Sequence, residues 1–195
     1  EAFTDPLVEC KMCHERFRAD HEEDIRTHER EHKKKKEVAT WTEPRKFNLL
    51  VEAFLGAVEG EKSRVYLRGE ITQGVHVNFK NVLQSMRVKI PFGIAQMGKA
   101  FRNEITPGNF TFRSREFEQM ELQWYVKPDE KEAARWFEYW KEERMKWYLT
   151  LGMSKERLRF REHVADERAH YARAACDIEY DSPFGGWKEF EGIHH

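Results

Sequence analysis

Cysteine is scarce in this chain: three among 195 residues are too few for a disulfide framework. Two of them, Cys10 and Cys13, have two residues between them, which suits a reducing compartment and a metal clip. Long apolar runs are missing as well. No stretch approaches the ~18 uninterrupted apolar residues of a membrane span, and Glu1-Ala2-Phe3-Thr4-Asp5 has no signal-peptide pattern. A soluble, cytoplasmic protein with no membrane partner is therefore expected. Charge of one sign is also lacking. With 34 basic and 35 acidic residues the net charge is -1, so a nucleic-acid partner is neither demanded nor excluded. What is present is a 39% hydrophobic, 35% charged chain, long enough for one core-bearing domain and short for two.

Residues 1–41 differ in composition from the rest, being rich in His, Lys and Glu. Residues 20–36 read as a charged helix that ends in the basic run Lys33-Lys34-Lys35-Lys36. Cys10-x2-Cys13 followed by His28-x3-His32 has the ligand types and the i, i+4 histidine spacing of a tetrahedral zinc site, with His14 and His21 as competing ligands. A histidine-rich solvated helix without metal is the other reading. Residues 45–58 suit a strand entering a turn or a short helix. From Thr72, Val75, Phe79, Val82, Leu83 and Met86 recur at helical spacing up to Pro91. Asp129 caps a long helix that stops at Gly152. Ser154 opens a short helix, 159–161 and 177–180 read as strands, 166–176 as helix and 188–191 as a further strand. The mixture predicts an α+β domain on an antiparallel sheet.

Between the two long helices the chain reads as a hairpin, 92–104 and 112–126, around a turn-rich Thr106-Pro107-Gly108-Asn109. Alternation in Ala100, Arg102 and Glu104, and in Arg113, Arg115, Phe117 and Gln119, sends these side chains to one face. Arginine, glutamate and an aromatic ring on one face suit a nucleotide: guanidinium for phosphate oxygens, carboxylate for an exocyclic amine, ring for base stacking. A solvated hairpin with cross-strand ion pairs is the plainer alternative.

The segment from Phe101-Arg102-Asn103-Glu104 to Arg113-Ser114-Arg115-Glu116-Phe117 resembles motif 2 of the class II aminoacyl-tRNA synthetases, and its wording is similar to the homodimeric glycyl-tRNA synthetase family. Thr42 to Leu49, Tyr66 to Gly74, Val77 to Leu83 and Asp177 to Ile193 resemble the same family in the same order, so that the likeness covers roughly residues 5–20 and 42–193. It implies a class II synthetase-like antiparallel sheet flanked by helices, with a small N-terminal Cys/His-containing helical appendage. It further implies ATP-dependent activation of glycine to glycyl-adenylate and transfer to tRNA or an acceptor-stem mimic.

By the same resemblance Arg102 is the catalytic arginine that holds the α-phosphate and the substrate carboxylate. Glu104 accepts from the adenine amine, Phe117 stacks on the base and Arg113 faces the β- and γ-phosphates. Asn103, Phe112 and Arg115 complete the implied nucleotide contacts. Glu70, Gln119 and Glu121 fall at the amino-acid site. Glu189 and Phe190 fall at ATP and its Mg²⁺, and Glu191 at substrate. A metal on Cys10, Cys13, His28 and His32 would be structural Zn²⁺, because four protein ligands leave no open position.

Two departures qualify these expectations. The family's Arg-Pro-Glu-Thr-Ala-Gln-Gly reads Arg68-Gly69-Glu70-Ile71-Thr72-Gln73-Gly74 here, which alters the amino-acid pocket. Segments like motif 1, much of the family's homodimer interface, and motif 3 are not found, so a catalytic-core fragment or reduced form of weak activity is expected. Residues 194–195 read as a tag remnant. A stand-alone relative activating another small amino acid for a non-tRNA carrier is one alternative, and a non-catalytic RNA-binding module another.

Overall fold

The computed structural model describes residues 3–58, 63–165, 167–168 and 172–195. The chain divides into two compact units, Glu1–Met86 with Ile94–Gln123, and Arg87–Gly93 with Trp124–His195. In chain order the elements are β1 (Thr4–Glu9), β2 (Arg16–Arg18), α1 (Glu22–Lys34), β3 (Arg45–Asn48), β4 (Glu52–Leu55), β5 (Ser63–Tyr66) and α2 (Thr72–Met86). They continue with β6 (Phe92–Phe101), β7 (Glu116–Tyr125), α3 (Glu130–Thr150), β8 (Leu158–Glu162), β9 (Ala175–Asp181) and β10 (Trp187–His194). The fold is α+β. The described strands form four sheets, β2-β1-β3, β4-β5, β6-β7 and β10-β9-β8. Among the described residues no helix is long and apolar enough to cross a membrane.

In the first unit β1 is the central strand, antiparallel to both β2 and β3. Residues 45–58 turn out to be two short strands, β3 and β4, of which β4 pairs with β5. Helix α2 buries Val75 and half-buries Phe79, Val82 and Leu83, as the spacing predicts, while Met86 is exposed. The β6-β7 hairpin presents alternate residues inward. Ile94, Gln96, Gly98 and Ala100 are covered on one strand and Phe117, Gln119 and Glu121 on the other. Both strands stop earlier than their alternation suggests. Beyond a last cross-hairpin bond from Arg102 N to Arg115 O (3.0 Å), the backbone bonds elsewhere: Asn103 N to Leu49 O (2.7 Å) and Glu104 N back to Arg102 O (2.8 Å).

The second unit is built on β9, antiparallel to β8 and to β10. Residues Ala175, Cys176, Asp177, Ile178 and Glu179 are all buried. Residues 166–176 were expected as helix, yet Ala175 and Cys176 belong to this strand. Asp166 and 169–171 lie outside the described residues. Ile178 packs with Tyr148 and Leu158, and Met145, Met153, Tyr180 and Ile193 close round them. Burial pushes the Cys176 thiol up to about 12, so it stays protonated and inert. On the polar face Asp177 meets His163 (2.7 Å), and Glu179 meets Arg159 (2.6 Å). Helix α3 starts where Asp129 accepts from Glu132 N (2.9 Å) and ends before Gly152, whose φ is +88°. His194, read as a tag remnant, pairs with Ala175 at the end of β10.

Glu191 ties α3 to β10, accepting from Arg144 Nε (2.6 Å) and from the Tyr148 hydroxyl (2.9 Å). A hydrogen bond to a charged group contributes about 1.5–3 kcal/mol. Tyr148→Phe should therefore lower the stability of the unit by about 1.5 kcal/mol, read as a lower urea midpoint at unchanged slope. An unmoved midpoint would refute the role given to this bond.

Candidate nucleotide and amino-acid site

Arg102 leaves the end of β6 and is held on three sides. Its Nε donates to the Gly69 carbonyl at 3.0 Å. Its guanidinium carbon lies 5.6 Å from the Phe3 ring centroid and 5.4 Å from that of Phe117. With Nε committed, the two Nη groups are the donors left for an anion. Phe117, expected to stack on a base, faces this guanidinium in the structure. Phe3 and the Gly69 carbonyl were not anticipated, since neither belongs to the motif around Arg102.

The loop after Arg102 closes on itself. Gly108 N bonds to Arg113 O (2.9 Å) and Arg113 N to Gly108 O (3.1 Å), with Asn109 and Phe110 at φ +54° and +58°. Phe112 N bonds to Asn109 O (3.1 Å), and Phe112 and Arg113 lie exposed on this loop. Arg115 Nη2 reaches the Glu104 carbonyl at 3.3 Å, which leaves the Glu104 carboxylate out of that bond. The cross-strand ion pair that does form joins Lys99 to Glu116. Arg102, Asn103, Glu104, Arg115 and Phe117 are thus gathered at the base of the loop, and Phe112 and Arg113 near its tip.

A second group lies between the start of α2 and the inner face of β7. Thr72 Oγ1 donates to Glu121 Oε2 at 2.6 Å, and Gln73 Nε2 to Glu70 Oε1 at 2.5 Å. Two residues before Glu121, Gln119 Oε1 is buried without a hydrogen-bond partner among the described residues. A buried, unpaired acceptor is costly unless something else donates to it. The Thr72 hydroxyl, seen in the sequence only as a departure, takes one oxygen of Glu121.

Glu189, Phe190 and Glu191 lie on β10 in the second unit. Glu189 sits opposite Glu179 in the ladder, and a register irregularity separates it from Glu191. Phe190 is 41% exposed, with its ring 5.0 Å from that of Tyr180. Both oxygens of Glu191 are taken, by Arg144 and Tyr148. Back in the first unit, Cys10, Cys13, His28 and His32 offer ligand atoms that all lie within 4.8 Å of one another, a group able to hold a metal. His14 and His21 pair instead with Glu9 (3.0 Å) and Asp24 (3.3 Å).

No family model matches the chain. Curated relatives do. It is 48% identical over 204 residues to a glycine–tRNA ligase of Streptomyces coelicolor, covering 98% of this chain and 44% of the relative. To that of Caldanaerobacter subterraneus it is 47% identical over 214 residues, covering 98% and 46%. To that of Borreliella burgdorferi it is 50% identical over 196 residues, covering 100% and 42%. The chain belongs to the glycine–tRNA ligase family. It spans less than half the length of these relatives.

Against the family pattern, the glycine at position 69 has a local physical reason. A Cβ there would lie 3.0 Å from Phe3 Cε1 and 3.3 Å from Leu50 Cδ2. The missing side chain leaves room for the Phe3 ring beside Arg102. Gly69→Ala should therefore cost about 1–3 kcal/mol through overpacking against Phe3. In a double-mutant cycle with Phe3→Ala the two losses should not add, because the clashing ring is gone. Additive losses in thermal or urea melts would show that Phe3 is not what Gly69 makes room for.

Proposed function

We infer that this chain carries the adenylate-forming core of a glycine–tRNA ligase: it binds ATP and glycine and joins them, with tRNA as the later acceptor. The observation that carries the reading is Arg102, whose guanidinium lies near the Phe3 and Phe117 rings, 5.6 and 5.4 Å from their centroids, at the end of the hairpin strand β6. The reaction is an in-line displacement. A carboxylate oxygen of glycine bonds to the α-phosphorus of ATP, and the bond from that phosphorus to the pyrophosphate oxygen breaks. Positioning and charge stabilisation suffice for this, with no covalent nucleophile. Arg102 has the donors to grip both the glycine carboxylate and the α-phosphate, bringing nucleophile and electrophile together. Glu104 takes the adenine amine, and Arg113 and Arg115 neutralise phosphate charge. Asn103, Phe112 and Phe117 shape the base pocket.

Glycine offers only an ammonium and a carboxylate for recognition. Glu121 and Gln119 supply acceptors for the ammonium from one face of β7, and the unpaired Gln119 Oε1 supports that assignment. Glu70 closes the pocket. Mg²⁺ bound with ATP would screen the triphosphate charge. On β10, Glu191 already neutralises Arg144. The Cys/His group takes no part in this chemistry.

Arg102→Ala should abolish glycine-dependent ATP–pyrophosphate exchange while leaving the melting transition in place. Exchange at the wild-type rate in that variant would remove Arg102 from the site. Thr72→Ala, which releases one oxygen of Glu121, should raise KM for glycine about five- to tenfold, as loss of one hydrogen bond implies. An unchanged KM would detach Glu121 from the ammonium. Exchange with a different small amino acid would assign the pocket, altered at residues 69, 71 and 72, to that substrate. Absence of both exchange and ATP binding would favour an RNA-binding module.

A further inference from the structure

Helix α1 has almost no apolar surface with which to hold its place. Its sequence, EEDIRTHEREHKK, contains one large aliphatic residue, Ile25, and its buried residues are His28 and His32. An amphipathic helix docks through an apolar stripe, and this one presents two imidazoles instead. Each imidazole points one nitrogen at a cysteine. His32 Nε2 lies 3.8 Å from Cys10 Sγ, and His28 Nε2 lies 3.4 Å from Cys13 Sγ. Zinc–sulfur bonds of about 2.3 Å and zinc–nitrogen bonds of about 2.0–2.1 Å at tetrahedral angles place neighbouring S and N atoms about 3.6 Å apart. The two separations straddle that value.

The opposite nitrogen of each ring is also engaged. His32 Nδ1 is hydrogen-bonded to Glu37 Oε2 at 2.8 Å, and His28 Nδ1 lies at ion-pair distance, 3.3 Å, from Glu15 Oε2 without hydrogen-bond geometry. The Glu37 carboxylate on His32 Nδ1 fixes the proton there and leaves that Nε2 lone pair turned toward the thiols. This is the carboxylate–histidine arrangement that orients and strengthens imidazole ligands of metals. The cysteine side is shaped to match. Cys10 N bonds to Glu15 O (2.9 Å) and His14 N to Cys10 O (2.9 Å), while His14 takes φ +63°, which curls Cys10 and Cys13 round a common point. Thiols are weak hydrogen-bond donors, so two S–H···N contacts would hold this helix poorly.

We propose that Cys10, Cys13, His28 and His32 bind one structural Zn²⁺ through Sγ and Nε2, with Glu15 and Glu37 as the positioning carboxylates behind the two histidines. The ion joins the turn after β1 to α1. Binding converts two thiols to thiolates with release of their protons, and consumes no other reactant.

The test loads the metal-free chain with Zn²⁺ or Co²⁺ alone. One equivalent of zinc by elemental analysis is expected, as is a thiolate-to-cobalt charge-transfer band in the Co²⁺ form. Chelation should lower the melting temperature. Less than stoichiometric zinc, or a Co²⁺ form without the thiolate band, would overturn the site in the unmutated chain. So would undiminished zinc in a Cys10→Ser, Cys13→Ser double variant. Glu37→Gln and Glu15→Gln should each fill at excess zinc with the same Co²⁺ spectrum, yet bind zinc about ten- to a hundredfold more weakly in competition with a chelating dye. Glu23→Gln on the exposed face of α1 makes the same charge change and should leave affinity unaltered. An equal loss in all three variants would overturn the role of the two carboxylates.

Discussion

The geometry of the candidate site depends on one guanidinium. Arg102 draws together Phe3, Gly69 and Phe117, which lie far apart in the chain. Cation–π contacts are worth about 0.5–1 kcal/mol each when exposed and more when dry, so two rings and a carbonyl hold the side chain against its own rotamer entropy. The planar fork is oriented before any anion arrives, and less entropy is then lost on binding. Lysine could not reproduce this, having neither a planar face for the rings nor two parallel donors. The cost appears in the backbone. The β6-β7 ladder ends at the residue whose side chain must turn back to Gly69.

The regular elements were legible where their physics is local. Asp129 announced a helix start with its own carboxylate, and α2 showed its buried positions through their spacing. Strand β9 was legible only in part: 177–180 read as strand, but Ala175 and Cys176 were assigned to a helix, because a central strand buried on both faces has no alternation to mark where it starts. Here it also carries Asp177 and Glu179, which meet Arg159 and Arg161 of β8 and His163 after it. The hairpin was read too long for the opposite reason. Alternation ran on through Arg102 and Glu104, and side-chain pattern says nothing about where backbone hydrogen bonds stop. Within the site the motif residues could be named, whereas their supports could not. Phe3, Gly69 O and Thr72 meet Arg102 and Glu121 only through tertiary folding.

Five glutamates were assigned by motif position, and the structure separates three of them by how many oxygens are already spent. Glu191 has used both, on Arg144 and Tyr148. Glu121 has used Oε2 on Thr72, and Glu70 has used Oε1 on Gln73. A carboxylate can accept about four hydrogen bonds, but one already facing a guanidinium and a phenol has little electrostatic reason to take a further cation. In a chain that is 35% charged, residue type therefore says little about function. The lone pairs left open say more.

The same reasoning separates two ways of fixing a helix. Helix α3 buries Phe137 and Tyr148 and lies against a packed centre of Tyr148, Leu158 and Ile178. Its position follows from apolar area, which is non-directional and tolerates small shifts. Helix α1 is held by two imidazoles toward two sulfurs, by the Trp41 indole donating to Glu29 at 3.0 Å, and by the His28 ring against Phe17 and Trp41. Directed contacts fix orientation well but resist unfolding weakly unless a strong bond lies at their centre. A helix with one aliphatic residue is thus the place in this chain where a metal–ligand bond would contribute most, because hydrophobic burial contributes least there.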